Sequence, residues 1–352
     1  MSHSPSTVLV TGASGYIASW IVKYLLDAGH RVHATVRDPA RADSVAHLEA
    51  LARHAPGTLQ LFKADLLEAN SFDAAMAGCD SVIHTASPFI LENYRAANEA
   101  LVRPAVEGTR HVLEAANRCA SVKRVVLTSS VAAVYGDGIE LHHSGQSAFN
   151  EQHWNTTSSV RHNPYQYSKA EAERTAWKIH DAQQRWQLIT INPGMVYGPS
   201  LTRASKSASI GTLLQMGRGQ LRFGVPNLVY GVVDVRDVAQ AHVLAAFNPE
   251  ASYRYLLVNR EMSMLDIAQT LRRHFGNSYH FPKAQVPKPL VWAFGPLLGP
   301  ITRKFVSLNV NYPVRFDNAR SVALGVKYRP LDNTFREHFQ QALDDQLIRK
   351  RN

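Results

Sequence analysis

The chain has 352 residues, 45% of them hydrophobic and 19% charged, which is enough apolar material for one large domain or two smaller ones. Its 38 Lys and Arg against 28 Asp and Glu give a formal net charge of +10, which indicates either a solvated basic surface, the more common case, or attraction of anions such as nucleotides. No basic run, zinc-ligand spacing or RNA-binding signature accompanies the charge, so we expect no nucleic-acid partner. The N-terminal residues lack the basic patch and apolar core of a signal peptide, and no window reaches the roughly 20 apolar residues of a membrane span. We therefore expect a cytoplasmic protein whose two cysteines, Cys79 and Cys119, are reduced.

The N-terminal half alternates between predicted strands and predicted helices. Thr7–Val10 is a short β-branched apolar run, Tyr16–Ala28 has helical apolar spacing closed by Gly29, and Arg31–Val36 is a second strand. The alternation continues with helices over Val45–Arg53, Ser71–Ala77, Glu99–Arg118 and Gln166–Gln184, and strands over Leu59–Phe62, Ser81–His84, Val125–Ser129 and Leu188–Asn192. This pattern predicts an α/β fold with a Rossmann-type, doubly wound parallel sheet.

Beyond residue 198 the alternation gives way to short elements separated by Gly, Pro and Ser. Predicted strands over Leu228–Val233 and Tyr255–Val258 mix with predicted helices over Val235–Phe247 and Ser263–His274. We therefore expect a dinucleotide-binding domain with the catalytic residues over 1–198. A smaller C-terminal α/β substrate lobe over 199–352 is expected to be partly interleaved with it.

A glycine-rich turn, Thr11–Ala18, lies between the first predicted strand and the first predicted helix. Its pattern is GxxGxxA, in which Gly12 permits the tight turn, Gly15 lets the backbone approach a phosphate, and Ala18 allows close packing of helix on strand. The unpaired N–H groups and positive dipole end of a helix N-terminus suit a pyrophosphate. The turn alone is a weak signal, but its position between a strand and an amphipathic helix predicts a dinucleotide site.

The end of the second predicted strand bears on the choice of dinucleotide. Sites selective for NAD place an acidic residue there for the ribose 2′-hydroxyl, whereas an arginine suits the 2′-phosphate of NADP. Arg37 therefore favours NADPH over NADH, although the adjacent Asp38 offers a carboxylate for the ribose. Asp65, after the third strand, is a candidate for the adenine amino group or, alternatively, a helix cap.

A second set of residues has the chemistry of carbonyl reduction. Tyr165 and Lys169 are four residues apart at the start of a predicted helix and so share one face. A tyrosine has an ordinary pKa near 10, and a nearby lysine cation lowers that pKa towards the useful range. Ser129 and Ser130 end a predicted strand at the carboxyl edge of the sheet, where a hydroxyl can orient a carbonyl. The set favours hydride transfer with Tyr165 as proton donor.

These motifs, in this order, resemble the extended short-chain dehydrogenases/reductases, members of the NAD-dependent epimerase/dehydratase superfamily. Within them the chain is similar to the branch of dihydroflavonol 4-reductase, cinnamoyl-CoA reductase and the aldehyde and ketone reductases. The resemblance covers roughly residues 7–340. It rests on the segments 10–17, 34–39, 63–66, 84–88, 127–130, 165–169 and 192–194.

The resemblance implies a role for each matching position. Ser130 is the implied catalytic serine, Tyr165 the acid and Lys169 the residue that holds the ribose and tunes the tyrosine. The implied cofactor contacts are Gly12, Ser14, Gly15, Tyr16, Ile17, Arg37, Asp65, Leu66, Thr85, Ala86, Ser87, Tyr165, Lys169, Pro193 and Val196. The implied substrate contacts are Pro88, Val131 and Tyr135.

Three departures from the branch limit these implications. Plant flavonoid reductases carry a second basic residue where this chain has Ser44, although Arg41 is an alternative. They also carry, at the position of Tyr135, an asparagine that reads flavonoid hydroxyls, so a dihydroflavonol substrate is not expected. The apolar segment Val286–Arg303 differs from the plant enzymes and is predicted either to cover a hydrophobic substrate or to pack as ordinary core.

The sequence thus predicts an NADPH-dependent reductase of an aldehyde, ketone or hydroxysteroid-like carbonyl compound. Two alternatives stay open: an NAD-dependent sugar-nucleotide epimerase or dehydratase, and a non-catalytic NADP-binding sensor. We expect a small-molecule substrate and a monomer or homodimer. We expect no metal site, because the histidines between Ser130 and Tyr165 have no ligand spacing backed by carboxylates.

Overall fold

The computed structural model describes residues 5–87, 97–203, 207–298 and 301–349. Its strands are β1 (Thr7–Thr11), β2 (Arg31–Val36), β3 (Thr58–Lys63), β4 (Ser81–His84), β5 (Arg124–Thr128), β6 (Gln187–Pro193), β7 (Met195–Tyr197), β8 (Val225–Pro226), β9 (Val229–Asp234), β10 (Tyr253–Leu257), β11 (Arg260–Ser263) and β12 (Gln285–Val286). Its α-helices are α1 (Tyr16–Asp27), α2 (Ala42–Arg53), α3 (Asp73–Met76), α4 (Arg103–Arg118), α5 (Ile139–Ser144), α6 (Pro164–Asp181), α7 (Ala208–Gly217), α8 (Val235–Phe247), α9 (Met264–Phe275), α10 (Lys288–Leu298), α11 (Arg303–Asn309), α12 (Ala319–Ala323) and α13 (Leu331–Asp344).

Seven of these strands form one parallel sheet in the order β10-β6-β5-β4-β1-β2-β3. The inner strands β1, β4, β5 and β6 are buried along most of their length because helices cover both faces, as parallel sheets require. The predicted Rossmann-type, doubly wound fold is therefore confirmed. The strand order reverses between β1 and β4, and in open α/β sheets the ligand crevice lies at such a switch point, beyond the carboxyl ends of the strands.

The first β-α-β unit follows its sequence pattern closely. Helix α1 buries Ile21, Val22 and Leu25 against the sheet, with no exposed surface on any of the three side chains. The helix ends before Gly29, whose φ of +81° is the left-handed conformation expected after a helix C-terminus. This unit fixes the N-terminus of α1 at the switch point.

The helix predicted over Glu99–Arg118 begins differently. A π-helical turn over Asn98–Val102 precedes α4, and Pro104 lies in the first turn of α4. Proline has no N–H to donate to the preceding turn, so the hydrogen-bonding pattern changes at this point. The elements over 228–234 and 253–258 agree with their predicted bounds to within two residues.

The C-terminal part of the chain builds a smaller lobe and also returns to the main sheet. Strands β7, β9 and β11 form a three-stranded sheet, and β8 pairs with β12. Strand β10 extends the main sheet beside β6, while α8 packs on α1. The division at residue 198 stays a prediction, since elements after it complete the first sheet. Among the helices that the structure describes, none is both long and apolar enough to cross a membrane.

Candidate active site

The glycine turn lies at the switch point and is closely packed. Gly12 has a φ of +62°, and a Cβ built on it would lie 3.0 Å from both Cα and Cβ of Ala86, at the end of β4. Gly15 is the N-cap residue of α1 and has no side chain to bond the first-turn N–H groups. Gly12 is therefore favoured over any residue with a side chain, and the helix N-terminus offers donors to an anion.

Thr11, the last residue of β1, ties the turn to β4. Its Oγ1 accepts hydrogen bonds from the N–H groups of Thr85 and Ala86, each at 3.1 Å, and lies 2.7 Å from Nδ1 of His84. Burial lowers the pKa of His84 to about 3, so its ring is neutral. The neutral ring shares a hydrogen bond with the Thr11 hydroxyl. The sequence analysis did not predict these hydrogen bonds, because neither Thr11 nor His84 belongs to a motif that can be recognised by its spacing.

Ser87, Lys169, Tyr165 and Ser130 come together beyond the ends of β4 and β5. Lys169 Nζ donates to Ser87 Oγ at 3.1 Å and lies 5.9 Å from the centroid of the Tyr165 ring. Tyr165 in turn shares a side-chain hydrogen bond with Ser130. These four residues, up to 82 positions apart in the sequence, thus form one cluster of neighbouring side chains.

Burial dominates the electrostatics of this set. It lowers the pKa of Lys169 from 10.5 to about 8, while the negative charge of Glu173 partly opposes that effect. Burial also raises the pKa of Tyr165, and the bond to Ser130 acts in the opposite direction. Lys169 is therefore charged at neutral pH but close to its titration point, and Tyr165 carries its proton.

The loop before α6 fixes where Tyr165 begins its helix. Asn163, with a φ of +56°, precedes Pro164 and donates from Nδ2 to Gly136 O and Asp137 Oδ1, each at 2.9 Å. His162 Nε2 lies 2.6 Å from the other oxygen of Asp137. His162 is thus a loop residue bonded to a carboxylate, and no three metal-ligating side chains cluster anywhere in the described ranges.

The residues predicted to select the dinucleotide lie at the ends of β2 and β3. Arg37 and Asp38 are both exposed, and Asp38 Oδ1 accepts the N–H of Ala40 at 3.0 Å. The alternative base, Arg41, is held by Asp43 at 3.0 Å. Asp65 Oδ1 accepts the N–H of Leu67 at 2.8 Å in a turn rather than at a helix N-terminus, since α3 begins only at Asp73, so the alternative of a helix cap is wrong.

The remaining cofactor candidates differ in their accessibility. Tyr16 is 8% exposed and its hydroxyl donates to Gly198 O at 2.6 Å, so the side chain points into the C-terminal lobe and only its backbone is available to a ligand. Leu66 packs against Gly108, where a Cβ would lie 2.9 Å from Leu66 Cδ2. The other candidates are Ser14, Ile17 and Val196, which are half-buried, and Pro193, which is buried at the end of β6.

Two of the three predicted substrate contacts can be placed. Val131 follows Ser130 directly and is 9% exposed. The Tyr135 ring stacks on Phe149 at 4.9 Å between centroids and also contacts Phe316. Pro88, the third, lies outside the described residues. These substrate assignments stay predictions.

Within the apolar segment Val286–Arg303, residues Lys288–Leu298 form α10 and Arg303 begins α11. Val291 packs with Leu228 and Val306, whereas several other apolar side chains of α10 face solvent. Those exposed side chains are Leu290, Trp292, Phe294 and Leu297. In this structure the segment therefore combines ordinary core packing on one side with an uncovered apolar side.

The fold and the site define a dinucleotide-binding α/β protein with a Ser-Tyr-Lys set. Residues 8–259 match the model of the NAD dependent epimerase/dehydratase family, so the chain belongs to that family. It is 38% identical to Cinnamoyl-CoA reductase CAD2 of Medicago truncatula over 96% of this chain and 95% of that protein. It is also 32% identical to Dihydroflavonol 4-reductase of Gerbera hybrida over 82% and 78% of the two chains.

A solved structure also resembles the whole chain. The yeast methylglyoxal/isovaleraldehyde reductase Gre2, complexed with NADPH, superposes with a TM-score of 0.77 at 27% identity. The match covers 97% of this chain and 99% of that one. The predicted membership of the extended short-chain dehydrogenase/reductase branch is confirmed. NADPH, the cofactor of that neighbour, is the one that Arg37 predicts for this chain.

Proposed function

We propose that the protein transfers a hydride from NADPH to the carbonyl of an aldehyde, ketone or hydroxysteroid-like compound, with Tyr165 as proton donor. The observation that carries this proposal is the unbroken series of contacts at the switch point. It runs from Gly12 against Ala86, through the adjacent Ser87 to Lys169, and on to Tyr165 and Ser130.

The residues present fit a dinucleotide. The space beside Gly12 admits no side chain, and the N-terminus of α1 offers backbone donors for a pyrophosphate. Arg37 is exposed at the end of β2, the strand that pairs with β1 and lies next to the glycine turn. There it supplies positive charge for a 2′-phosphate. NADPH bound there supplies the hydride that reduces the carbonyl carbon.

The chain's own residues supply the proton and the orientation. The Ser130 hydroxyl donates a hydrogen bond to the carbonyl oxygen, which fixes the carbonyl beside Tyr165. As negative charge develops on that oxygen, the Tyr165 hydroxyl gives up its proton to it, and the Lys169 ammonium stabilises the phenolate that forms. The proton moves from Tyr165 Oη to the product hydroxyl.

The names of the relatives support reduction and leave the substrate open. Cinnamoyl-CoA, dihydroflavonol and methylglyoxal reductases differ in the size and polarity of the compound that they reduce. In this chain Tyr135 is packed between the rings of Phe149 and Phe316. It therefore contributes an aromatic surface where the plant flavonoid reductases have an asparagine amide that binds flavonoid hydroxyls. A carbonyl compound with an apolar body fits that environment better than a polyhydroxylated flavonoid.

The proposal is tested by NADPH oxidation against a panel of aldehydes, α-diketones, ketosteroids and flavonoids, repeated with NADH. Tyr165→Phe is expected to lower kcat by at least about 100-fold, the contribution of a general acid, while NADPH binding by fluorescence is retained. Tyr167→Phe is the matched control, because it removes a phenol on the same helix that has no lysine four residues later.

Three results would contradict the proposal. Full turnover by Tyr165→Phe would exclude this residue as the acid. Co-purification of stoichiometric oxidised NAD, without NADPH consumption, would favour the epimerase or dehydratase alternative. Tight NADPH binding without turnover of any compound would favour the sensor.

A further inference from the structure

Beneath the candidate active site lies an ion pair with no access to solvent. Arg254 on β10 and Glu173 on α6 are both 0% exposed, and Arg254 Nε donates to Glu173 Oε1 at 2.6 Å. The Arg254 guanidinium also donates to the carbonyls of Glu151 and His153 and lies 4.0 Å from the Trp154 ring centroid. The arginine is therefore fixed from several directions, and it holds the carboxylate in one position.

Glu173 uses its remaining acceptor capacity on the strand ends that carry the site. Its carboxylate accepts hydrogen bonds from the Ser129 hydroxyl, from Thr190 Oγ1 at 3.1 Å and from Asn192 Nδ2 at 2.7 Å. Asn192 also donates to the backbone carbonyl of Ser130 at 3.1 Å. Glu173 thus holds the residue before Ser130 directly and Ser130 itself through Asn192.

Glu173 also acts on the other half of the site. It lies eight residues after Tyr165 and four after Lys169 on α6, so the three side chains follow one face of the helix. Lys169, Glu173 and Ser129 are among the residues that line one small cavity, so these three residues lie close together. The negative charge of Glu173 favours the charged form of Lys169.

We infer that Glu173 and Arg254 are positioning residues, which set the Ser130 backbone against Tyr165 and hold a carboxylate one helical turn from Lys169. This inference rests on the proposed function. A buried ion pair is weak evidence for stability, because well-packed apolar residues of similar volume often serve as well. The hydrogen bonds of Glu173 to the strand ends, together with the effect of its charge on Lys169, give this pair a role at the site that a merely stabilising pair lacks.

The test compares Glu173→Gln with the wild-type protein. The amide keeps the shape but loses the charge, and its NH2 group donates where one carboxylate oxygen accepts, so part of the hydrogen-bond set is lost as well. We expect kcat to fall by about 10-fold to 100-fold, since displacement of a reacting group by about 1 Å has effects of that size. The Kd for NADPH should not change. The alkaline limb of the pH profile of kcat should move to lower pH, because Lys169 loses a group that favours its charge.

A second readout does not depend on turnover. The ¹³Cε resonance of Lys169 in lysine-labelled protein, assigned by its loss in Lys169→Arg, reports the Lys169 titration by NMR. It should titrate at lower pH in Glu173→Gln than in the wild type. If the wild type reduces no carbonyl, the proposed function fails, and this titration still decides whether Glu173 acts on Lys169.

Two variants separate positioning from stability. Asp237→Asn removes the charge of another carboxylate with no exposed surface, which is bonded to Arg329, and is expected to lower Tm without moving the pH profile. The double variant Glu173→Gln/Arg254→Met removes both charges and leaves no buried charge unpaired. It is expected to fold with reduced kcat and a shifted profile. An unchanged kcat, pH profile and Lys169 titration in folded Glu173→Gln would overturn the inference.

Discussion

The Lys169 ammonium is expected to set both the pH dependence of the reaction and part of the protein's stability. Its pKa lies at about 8 because burial disfavours the charged form. Below that pH it is charged and stabilises the Tyr165 phenolate that forms as the proton leaves, whereas above it the charge is lost. We therefore expect kcat for reduction to fall as pH rises through about 8, with roughly nine-tenths of the lysine charged at pH 7 and one-tenth at pH 9.

The same shift has a thermodynamic consequence whose sign can be worked out. The pKa is about 8 in the folded state and 10.5 in the free side chain, a difference worth roughly 3 kcal/mol against the charged form in the fold. The unfolded chain binds the proton more tightly, so this group destabilises the fold fully below pH 8 and not at all above about pH 10.5. Lys169→Met removes that penalty at pH 7 but also loses the bond to Ser87, worth about 1 kcal/mol. A net stabilisation of about 1–2 kcal/mol is expected from these two effects.

The assay pairs the pH profile of kcat with thermal unfolding. Lys169→Met should lose most reductase activity and unfold at a higher temperature than the wild type at pH 7, with the gain shrinking as pH rises towards 10. Lys178→Met, an exposed position on the same helix, is the matched control and should change neither quantity. A kcat independent of pH between 7 and 9, or a Tm of Lys169→Met at or below that of the wild type, would refute the reasoning.

Three further outcomes are expected. Gly12→Val should weaken NADPH binding by at least about 10-fold, because a side chain at a φ of +62° is strained and its Cβ would lie 3.0 Å from Ala86. A fluorescence titration with NADPH that gives the same Kd as the wild type would contradict this prediction. Arg37→Asp should lower the ratio of kcat/KM for NADPH over NADH by about 10-fold to 100-fold, the worth of one charged hydrogen bond, whereas Arg41→Ala, already paired with Asp43, should leave the ratio unchanged. Ser263→Ala removes the capping box of α9 and should cost about 1 kcal/mol of stability, seen as a lower Tm with unaltered kcat.

The parts of the fold that the sequence predicts are those specified by local patterns. The first strand, the glycine turn and α1 follow from a β-branched run, two glycines and an apolar stripe within about 20 residues. Val235–Phe247 is predicted to the residue because Asp234 caps its N-terminus and its apolar spacing is regular. The π turn before α4 was not predicted, since the apolar stripe passes through it and only Pro104 marks the change.

The parts of the site that could not be predicted depend on pairing across the fold. Arg254 and Glu173 lie 81 positions apart, and each taken alone is an ordinary charged residue. One signal was present: Arg254 interrupts a strand that is otherwise aromatic or aliphatic, where a charge requires a buried partner. The partner cannot be chosen from sequence alone, because any acidic residue on the covering helices would satisfy the same requirement.

Helix α6 explains how these separate features can act as one site. Its side chains change from an exposed to a buried setting along one face: Tyr165 and Lys169 are half-buried near the crevice, and Glu173 has no exposed surface. The helix is therefore anchored to the central sheet near its middle, through Glu173, and presents Tyr165 in its first turn. Since a helix is stiff over eight residues, the position of Glu173 against Arg254 determines where Tyr165 meets Ser130. Reactivity at the crevice is thus tied to a charge pair in the core.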